Sequence, residues 1–566
     1  MFERLRKLVV DAAKSSDFQL SEPEFSNLGH FTTNAAFIVA KRDKISPIEA
    51  AERLKASIIE SAPKGFIDRI DVVKPGFLNF WLTGKAMQES FAKIAADKKY
   101  GTGAVMKGEK IIVEYTDPNP FKEFHIGHLM SNAIGESISR LIEAQGANIK
   151  RLSYGGDVGL HVAKAMFGVL LKKDKISDVR KADEKEQLKF WADAYVSGSA
   201  EYEVNENSKK EIDGLNKIIF EKTNEEINAL YDWGRTVSIK HFQETFTRLG
   251  TKFSKNYWES EVFAEGMKAV TKGLAENIFE KSEGAIVFKG EQYGLHTRVF
   301  VNSRGIPTYE AKELGLAIKK YKEFKFDKSI VITANEQNDY FKVLLKVMDL
   351  LMPKVAGKTI HISHGIMRLA SGKMSSRKGN VITADSLLDQ IKAKLGERIN
   401  KEDGLSVEER EAVTESIAVG ALKYCVLRQG PGQDIVFDFD KSLSFEGDSG
   451  PYLQYAYVRA LNILGKAGKV RKADYKFLNS EEEFALIRKL VVFPEVVANC
   501  AKSLASSGLA GYLYDLSKLM NRFYEAKHVL NSEPGIREAR IALVNAVASV
   551  LKTGLNLLGI QTVDKM

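Results

Sequence analysis

The chain has 566 residues, with 83 Lys plus Arg against 74 Asp plus Glu and a formal net charge of +9. That is room for about three to five domains. Hydrophobic residues at 44%, charged residues at 28% and only 12 prolines describe a folded globular protein and exclude a disordered tail or a collagen-like chain. The two cysteines, Cys425 and Cys500, exclude a disulfide scaffold and a cysteine-rich zinc site, and they fit a reducing cytosol.

In chain order, Met1–Lys14 has only a short apolar core and carries Glu3 and Asp11, so it reads as an amphipathic helix rather than a secretory leader. No apolar run approaches the ~18 residues of a membrane span, so no membrane partner is expected. Ser46-Pro47 opens a helical pattern through Ala50, Leu54 and Ile58. Ile70–Val73 and Phe77–Trp81 read as strands around a Pro75-Gly76 turn. Residues 1–96 are therefore expected to form a small α+β domain.

Lys110–Tyr115 (KIIVEY) reads as a buried strand, followed by a loop with Pro118 and Pro120. Leu129, Ala133, Ile138 and Ile142 then recur at helical spacing up to Gly146, and Ile149–Tyr154 starts another strand. Strand, loop, helix and strand in that order mark a parallel α/β sheet. About 165–255 is charged and helical and reads as an insertion. Sheet-like segments return at GAIVFK (284–289), Thr297–Val301, Ser329–Thr333 and Ile360–Ile362. The expected architecture is α/β and multidomain. It comprises a Rossmann-like catalytic domain over 97–390 carrying the insertion, the N-terminal α+β domain, and an all-α domain over 391–566.

Two elements carry chemistry. His125-Ile126-Gly127-His128 lies where the first strand hands over to its helix. Unpaired N–H groups and the positive dipole end make that place an anion site. Gly127 lets a nucleotide approach the backbone, and the flanking imidazoles offer hydrogen bonds to phosphate. The second element is Ser371-Gly372-Lys373-Met374-Ser375-Ser376-Arg377-Lys378-Gly379-Asn380, a basic stretch bracketed by glycines and suited to closing over a triphosphate. A solvated basic loop is the bland alternative. There is no GxxxxGK[ST] string, which excludes a P-loop NTPase.

Together these two elements resemble the paired signatures of class I aminoacyl-tRNA synthetases. The series Glu114-Tyr115-Thr116-Asp117-Pro118-Asn119, Lys122, Gly156-Asp157-Val158-Gly159, Tyr309 through Gly315, Gln337, and Tyr452-Leu453-Gln454-Tyr455-Ala456 with Arg459 is similar to the arginyl-tRNA synthetase family over essentially the whole chain.

The resemblance implies activation of L-arginine by ATP, with Mg²⁺ accompanying the ATP and no dedicated protein metal site. It also implies transfer of the arginyl group to the terminal ribose of tRNA(Arg). It assigns His125, Gly127, His128, Lys373, Met374 and Ser375 to ATP, and His125, His128, Lys122, Lys373 and Arg377 to catalysis at the reacting phosphates. Arginine falls to Glu114, Asn119, Tyr309, Glu313 and Gln337, with Glu313 standing where the family places an aspartate. tRNA falls to Asn34, Phe37, Gln454, Tyr455, Arg459 and Phe523, although at least half of the C-terminal aromatics are expected to be packing. A cytoplasmic monomer is expected. A class I synthetase for another amino acid and a non-catalytic tRNA-binding paralogue are the alternatives.

Overall fold

The computed structural model describes residues 1–370, 382–396, 404–468 and 472–566. Among them, the organising element is a parallel sheet of strands β1 (Lys110–Glu114), β2 (Asn148–Gly155), β3 (Lys255–Trp258), β4 (Lys328–Ala334) and β5 (Thr359–His364), in the spatial order β5-β4-β1-β2-β3. The chain winds outward from β1 through β2 to β3, then returns to the other side of β1 for β4 and β5. The strand order thus reverses between β1 and β4. Crevices at such switch points, outside the carboxyl ends of the strands, are where open α/β sheets bind ligands. Ile111, Ile112 and Val113 of β1 are buried on both faces, as a strand in the middle of a parallel sheet requires.

Helix α1 (Ile126–Ala144) crosses from β1 to β2. It lies so close to the sheet that a Cβ on Gly135 would stand 2.1 Å from Cγ of Tyr115. It stops at Gln145 and Gly146, the latter at φ 88, a left-handed position that suits glycine.

Between β2 and β3 run four long helices, α2 (Leu160–Leu170), α3 (Glu184–Val204), α4 (Glu206–Glu221) and α5 (Glu225–Arg248). Glycines set their spacing. A Cβ on Gly168 would meet the Ala194 carbonyl at 1.9 Å, and one on Gly198 would meet that of Lys164 at 1.9 Å. Their core holds Val162, Met166, Trp191, Ile212 and Leu230, together with Val158 of the loop after β2 and Phe121 of the loop after β1.

Helix α6 (Glu259–Ala275) follows β3, and α7 (Tyr309–Phe324) and α8 (Asn338–Leu351) flank β4. A small antiparallel sheet of Glu280–Ser282, Ala285–Phe288 and Arg298–Val301 lies between α6 and α7. Its first strand is too short and too charged to show in the sequence.

The N-terminal unit has four antiparallel strands, Leu20–Ser21, Phe31–Thr33, Phe77–Leu82 and Ile67–Val73 in spatial order, where the sequence shows the last two. Its helices include Phe2–Ala13 and Pro47–Ser61, the second capped by Ser46 accepting from the Glu49 N–H.

Beyond residue 391 the expected all-α character is corrected at one place. Ile435–Phe437 is a strand that pairs in parallel with Met367–Leu369. Three residues are too few for a period-2 signal to register. Otherwise the C-terminal portion is helical, including α9 (Val407–Leu427), α10 (Gly450–Ala467), α11 (Ser507–Ala526) and α12 (Ile536–Leu557).

This portion grips the far end of α1. Arg140 donates to the Asn556 carbonyl at 2.9 Å, and Ser137 donates to that of Leu557 at 3.0 Å. The buried Lys423 ammonium of α9 donates to the carbonyls of Leu249 at 2.6 Å and Gly559 at 2.7 Å, and burial lowers its pKa to about 7.

Gly168→Ala should drive a methyl into the α3 backbone. The expected cost is about 1–3 kcal/mol, read as a lower thermal midpoint with faster amide exchange confined to α2 and α3.

Candidate active site

The loop from β1 to α1 is backbone under constraint. Thr116, Asp117 and Phe121 have φ of 81, 48 and 67, and none is glycine. Such positions cost of order 1–3 kcal/mol each and persist only where surroundings over-determine them. Here the surroundings do so. The Thr116 N–H donates to Ser131 Oγ at 3.0 Å, and Asn132 donates to Thr116 Oγ1 at 3.0 Å. Asp117 Oδ1 accepts from the Tyr154 N–H at 2.7 Å, and the Phe121 N–H donates to Ser238 Oγ at 3.0 Å. The Phe121 ring sits 5.2 Å from Trp191 and 5.8 Å from Tyr231, in the space left by Gly234, where a Cβ would lie 2.5 Å from Phe121.

The two histidines emerge from this loop. His125 caps α1, its Nδ1 accepting from the Gly127 N–H at 3.1 Å, and His128 Nδ1 accepts from the His125 N–H at 3.2 Å. The rings stack with centroids 3.8 Å apart. Because both Nδ1 atoms accept, each neutral ring carries its proton on Nε2, so both present an N–H donor. Burial first and the Lys122 ammonium second lower the His125 pKa to about 4. Burial and then His125 hold His128 well below the ordinary value.

Gly127 has a more specific reason than nucleotide access. A Cβ there would stand 2.9 Å from Cε1 of His125, so glycine lets the ring fold back on its own helix. Lys122 has no carboxylate within ion-pair distance among the described residues; its ammonium lies 5.3 Å from the centre of the Tyr195 ring.

Lys373, Met374, Ser375 and Arg377 lie outside the described residues. The described residues on either side of that stretch meet the histidine loop. Thr383 forms a β-bridge with His125, Ala384 N–H donates to the Phe124 carbonyl at 2.9 Å, and Met367 packs in one apolar cluster with Phe124 and Ile126.

Beside the histidines, at the carboxyl end of β1, is a group of acids. Glu114, 1% exposed, accepts from Lys320 Nζ at 2.7 Å, so one of its oxygens is already taken. Glu259 accepts from Lys312 Nζ at 2.5 Å. Glu313 stands on α7 between these two lysines in sequence, and among the described residues it has neither hydrogen bond nor ion pair. Burial, then the Glu114 carboxylate, push its pKa up to about 8. Asp117 is raised well above the usual range by burial, then by Glu114. Asn119 Oδ1 accepts from the Gly156 N–H at 2.7 Å, and a Cβ on Gly156 would reach the Glu259 carboxylate at 3.3 Å. Tyr309 is 57% exposed at the start of α7 with Lys312 Nζ 4.5 Å over its ring, and Gln337 is exposed in the turn after β4.

Sequence reasoning missed Asp117, Glu259, Lys312 and Lys320 as members of this group. The one available signal is that Glu313 and Lys320 are seven apart, hence on one face of α7.

The proposed tRNA residues divide. Gln454 and Phe523 are fully buried, which corrects their assignment to RNA. Gln454 Nε2 donates to the carbonyls of Ser416 at 3.2 Å and Gln561 at 2.7 Å, and Phe523 packs in the main core. Tyr455 and Arg459 line an open groove with Asn462, Lys466, Tyr524 and Lys527. There the Arg459 guanidinium lies 5.0 Å from the Tyr455 ring centre and 5.5 Å from that of Tyr524. In the N-terminal unit, Asn34 Oδ1 accepts from the Gln19 N–H at 2.8 Å, and Phe37 meets Phe77 edge-on at 5.3 Å.

Three family models match, and in order they cover most of the chain. Residues 3–82 match the arginyl tRNA synthetase N terminal domain, and 453–566 match the DALR anticodon binding domain. Residues 91–439, well over half the chain, match the tRNA synthetases class I (R) catalytic domain. The chain belongs to the arginyl-tRNA synthetase family. Arginine–tRNA ligases of Clostridium acetobutylicum and Treponema denticola are similar to it. The first is 30% identical over 100% of this chain and 99% of the relative; the second is 33% identical over 94% and 92%. The fold of Thermus thermophilus arginyl-tRNA synthetase matches with a TM-score of 0.83 at 24% identity, covering all of both chains.

A guanidinium that enters the acid group, such as that of arginine, should expel a proton from it. Below about pH 8 the acid group holds Glu313 protonated, whereas a guanidinium demands the carboxylate. Arginine affinity should therefore rise with pH by up to about tenfold per unit towards pH 8 and flatten above it. Calorimetry in two buffers of different ionisation heat would register the released proton, and a pH-independent affinity would contradict the account. Glu313→Gln should flatten the profile and raise the arginine KM at least about 30-fold, as loss of about 2 kcal/mol or more of buried charge pairing requires.

Proposed function

We infer that the chain is an arginine–tRNA ligase of class I. A carboxylate oxygen of L-arginine attacks the α-phosphorus of ATP. A P–O bond forms, the bond to the bridging oxygen breaks, and pyrophosphate departs with its electron pair. The arginyl group then passes from the adenylate to the terminal ribose of tRNA(Arg), releasing AMP. Neither step needs a covalent bond to the protein. What the chain supplies is position and charge.

The observation that carries this reading is the pair of neutral imidazoles, each with Nε2–H free to donate, stacked at the start of α1 beside an acid group holding one unpaired carboxyl. In this reading His125 and His128 donate to phosphate oxygens as the α-phosphorus becomes five-coordinate, and Lys122 supplies fixed positive charge. Lys373 and Arg377 serve the pyrophosphate side. Glu313, with Asp117 and Glu114, receives the guanidinium. Asn119, Tyr309 and Gln337 border that pocket.

Among the described residues no group of three or more His, Cys, Asp or Glu is arranged to hold a metal ion. Imidazole N–H and ammonium donors fit phosphate and repel a cation, so Mg²⁺ belongs with the ATP phosphates. Tyr455 and Arg459 are the C-terminal candidates for stacking on tRNA bases and meeting its phosphates; Asn34 and Phe37 are the N-terminal ones. A monomer acting in the cytoplasm completes the reading.

Charging of total tRNA with labelled arginine, with lysine and glutamine as controls, tests it directly; lysine or glutamine incorporation in place of arginine would overturn it. His128→Ala should lower kcat for ATP–pyrophosphate exchange about 10²–10³-fold, the usual cost of one transition-state donor, with the arginine KM little changed.

A further inference from the structure

The proposed ligase reaction gives Lys122 a phosphate-facing charge, and the role of its aromatic neighbour rests on that assignment. An unrestrained lysine carries much rotamer freedom, so a catalytic ammonium needs something to hold it. A carboxylate would hold Lys122 but would cancel the charge that the phosphates need. Among the described residues none lies within ion-pair distance. An aromatic face is there instead, with the ammonium 5.3 Å from the centre of Tyr195. A ring attracts a cation through its quadrupole and leaves the net charge intact.

The placement is not a lone surface contact. Tyr195 stands on α3 one turn after Trp191, so both project from one face. Trp191 packs on Phe121, 5.2 Å between ring centres, and Tyr195 lies under the very next residue of the loop. Two successive residues of the signature loop are thus met by two successive turns of one insertion helix. That helix is fixed in depth by Gly168 and Gly198, where no Cβ fits. Tyr195 is half-buried against the insertion core, and its hydroxyl has no hydrogen-bond partner among the described residues. The ring is therefore the part that this structure uses.

We propose that Tyr195 is a positioning residue for arginine activation: its ring holds the Lys122 ammonium at the phosphate end of the cleft without neutralising it. The helical insertion then acts on the chemistry through one cation–ring contact as well as through packing.

The test is a double-mutant cycle in ATP–pyrophosphate exchange, run on the full chain with tRNA present. Tyr195→Phe should stay within about twofold of wild type. Tyr195→Leu should lower kcat about tenfold, with the arginine KM unchanged. In a Lys122→Met background Tyr195→Leu should have no further effect. A Tyr195→Leu loss of the same size in both backgrounds would reduce Tyr195 to a structural residue, and no loss at all would remove it from the mechanism. A large loss in Tyr195→Phe would hand the role to the hydroxyl; both that result and the two before it overturn the proposal. Full activity of Lys122→Met would sink the phosphate role of Lys122 and this proposal with it, whereas a Lys122→Met defect uncoupled from Tyr195 sinks the proposal alone. If Tyr195→Leu fails to fold, stepwise fluorination of phenylalanine at position 195 keeps the shape and weakens the quadrupole. kcat should fall with each fluorine, and a flat series refutes the contact.

Discussion

The seating of Phe121 in the core of the helical insertion is the constraint on which the site depends. That residue belongs to the loop of the sheet but is buried among Trp191, Tyr231 and the helices around them. Burying an aromatic side chain is worth roughly 1.5–3 kcal/mol, comparable with the cost of one of the three left-handed positions, and the hydrogen bonds to Ser131, Asn132, Tyr154 and Ser238 help to offset the others. The loop is therefore held open by tertiary packing against its own conformational preference. Lys122 and His125 take their positions from it. The insertion is thus part of how the histidine loop keeps its shape.

Charge is distributed unevenly across the cleft. At the start of α1, two imidazoles stay uncharged because burial and the nearby ammonium disfavour a second and third positive charge. They act as dipoles, and Lys122 alone supplies full charge there among the described residues. In the acid group, Glu114 and Glu259 already have lysine partners, which leaves Glu313 and Asp117 as carboxyls in excess of the local cations. A site built this way is completed electrostatically by a cationic side chain. Lys312 and Lys320, the neighbours of Glu313, engage the other acids and leave it free.

Much of this was legible in the sequence, for reasons that differ by element. The run Ile111–Val113 and the helical spacing from Leu129 to Ile142 announce a parallel strand and its crossover helix because burial on a sheet leaves a strong periodic trace. The histidine pair is legible because its position at a helix start has only a few chemical uses. Asp117, Lys320 and Tyr195 were not legible, since each gains its role from a partner between 37 and 206 residues away or from a helix in a different layer. Gln454 and Phe523 misled for the converse reason. A polar or aromatic residue on a helix looks the same in sequence whether it faces RNA or its neighbours, and here both face inward. The strand Ile435–Phe437 was missed because a three-residue segment carries no period.

The meeting of Arg140, Lys423, Leu249 and Gly559 has a consequence for the order in which the molecule can be finished. The helix that begins with the histidines is clasped at its far end by residues more than 400 positions downstream of Arg140. That end stays unclasped until the residues from Asn556 to Gly559 have been made and have folded back. Loss of the residues beyond Leu557 would leave the interior Lys423 ammonium with the Leu249 carbonyl in place of two acceptors, beside the end of the helix opposite the histidines.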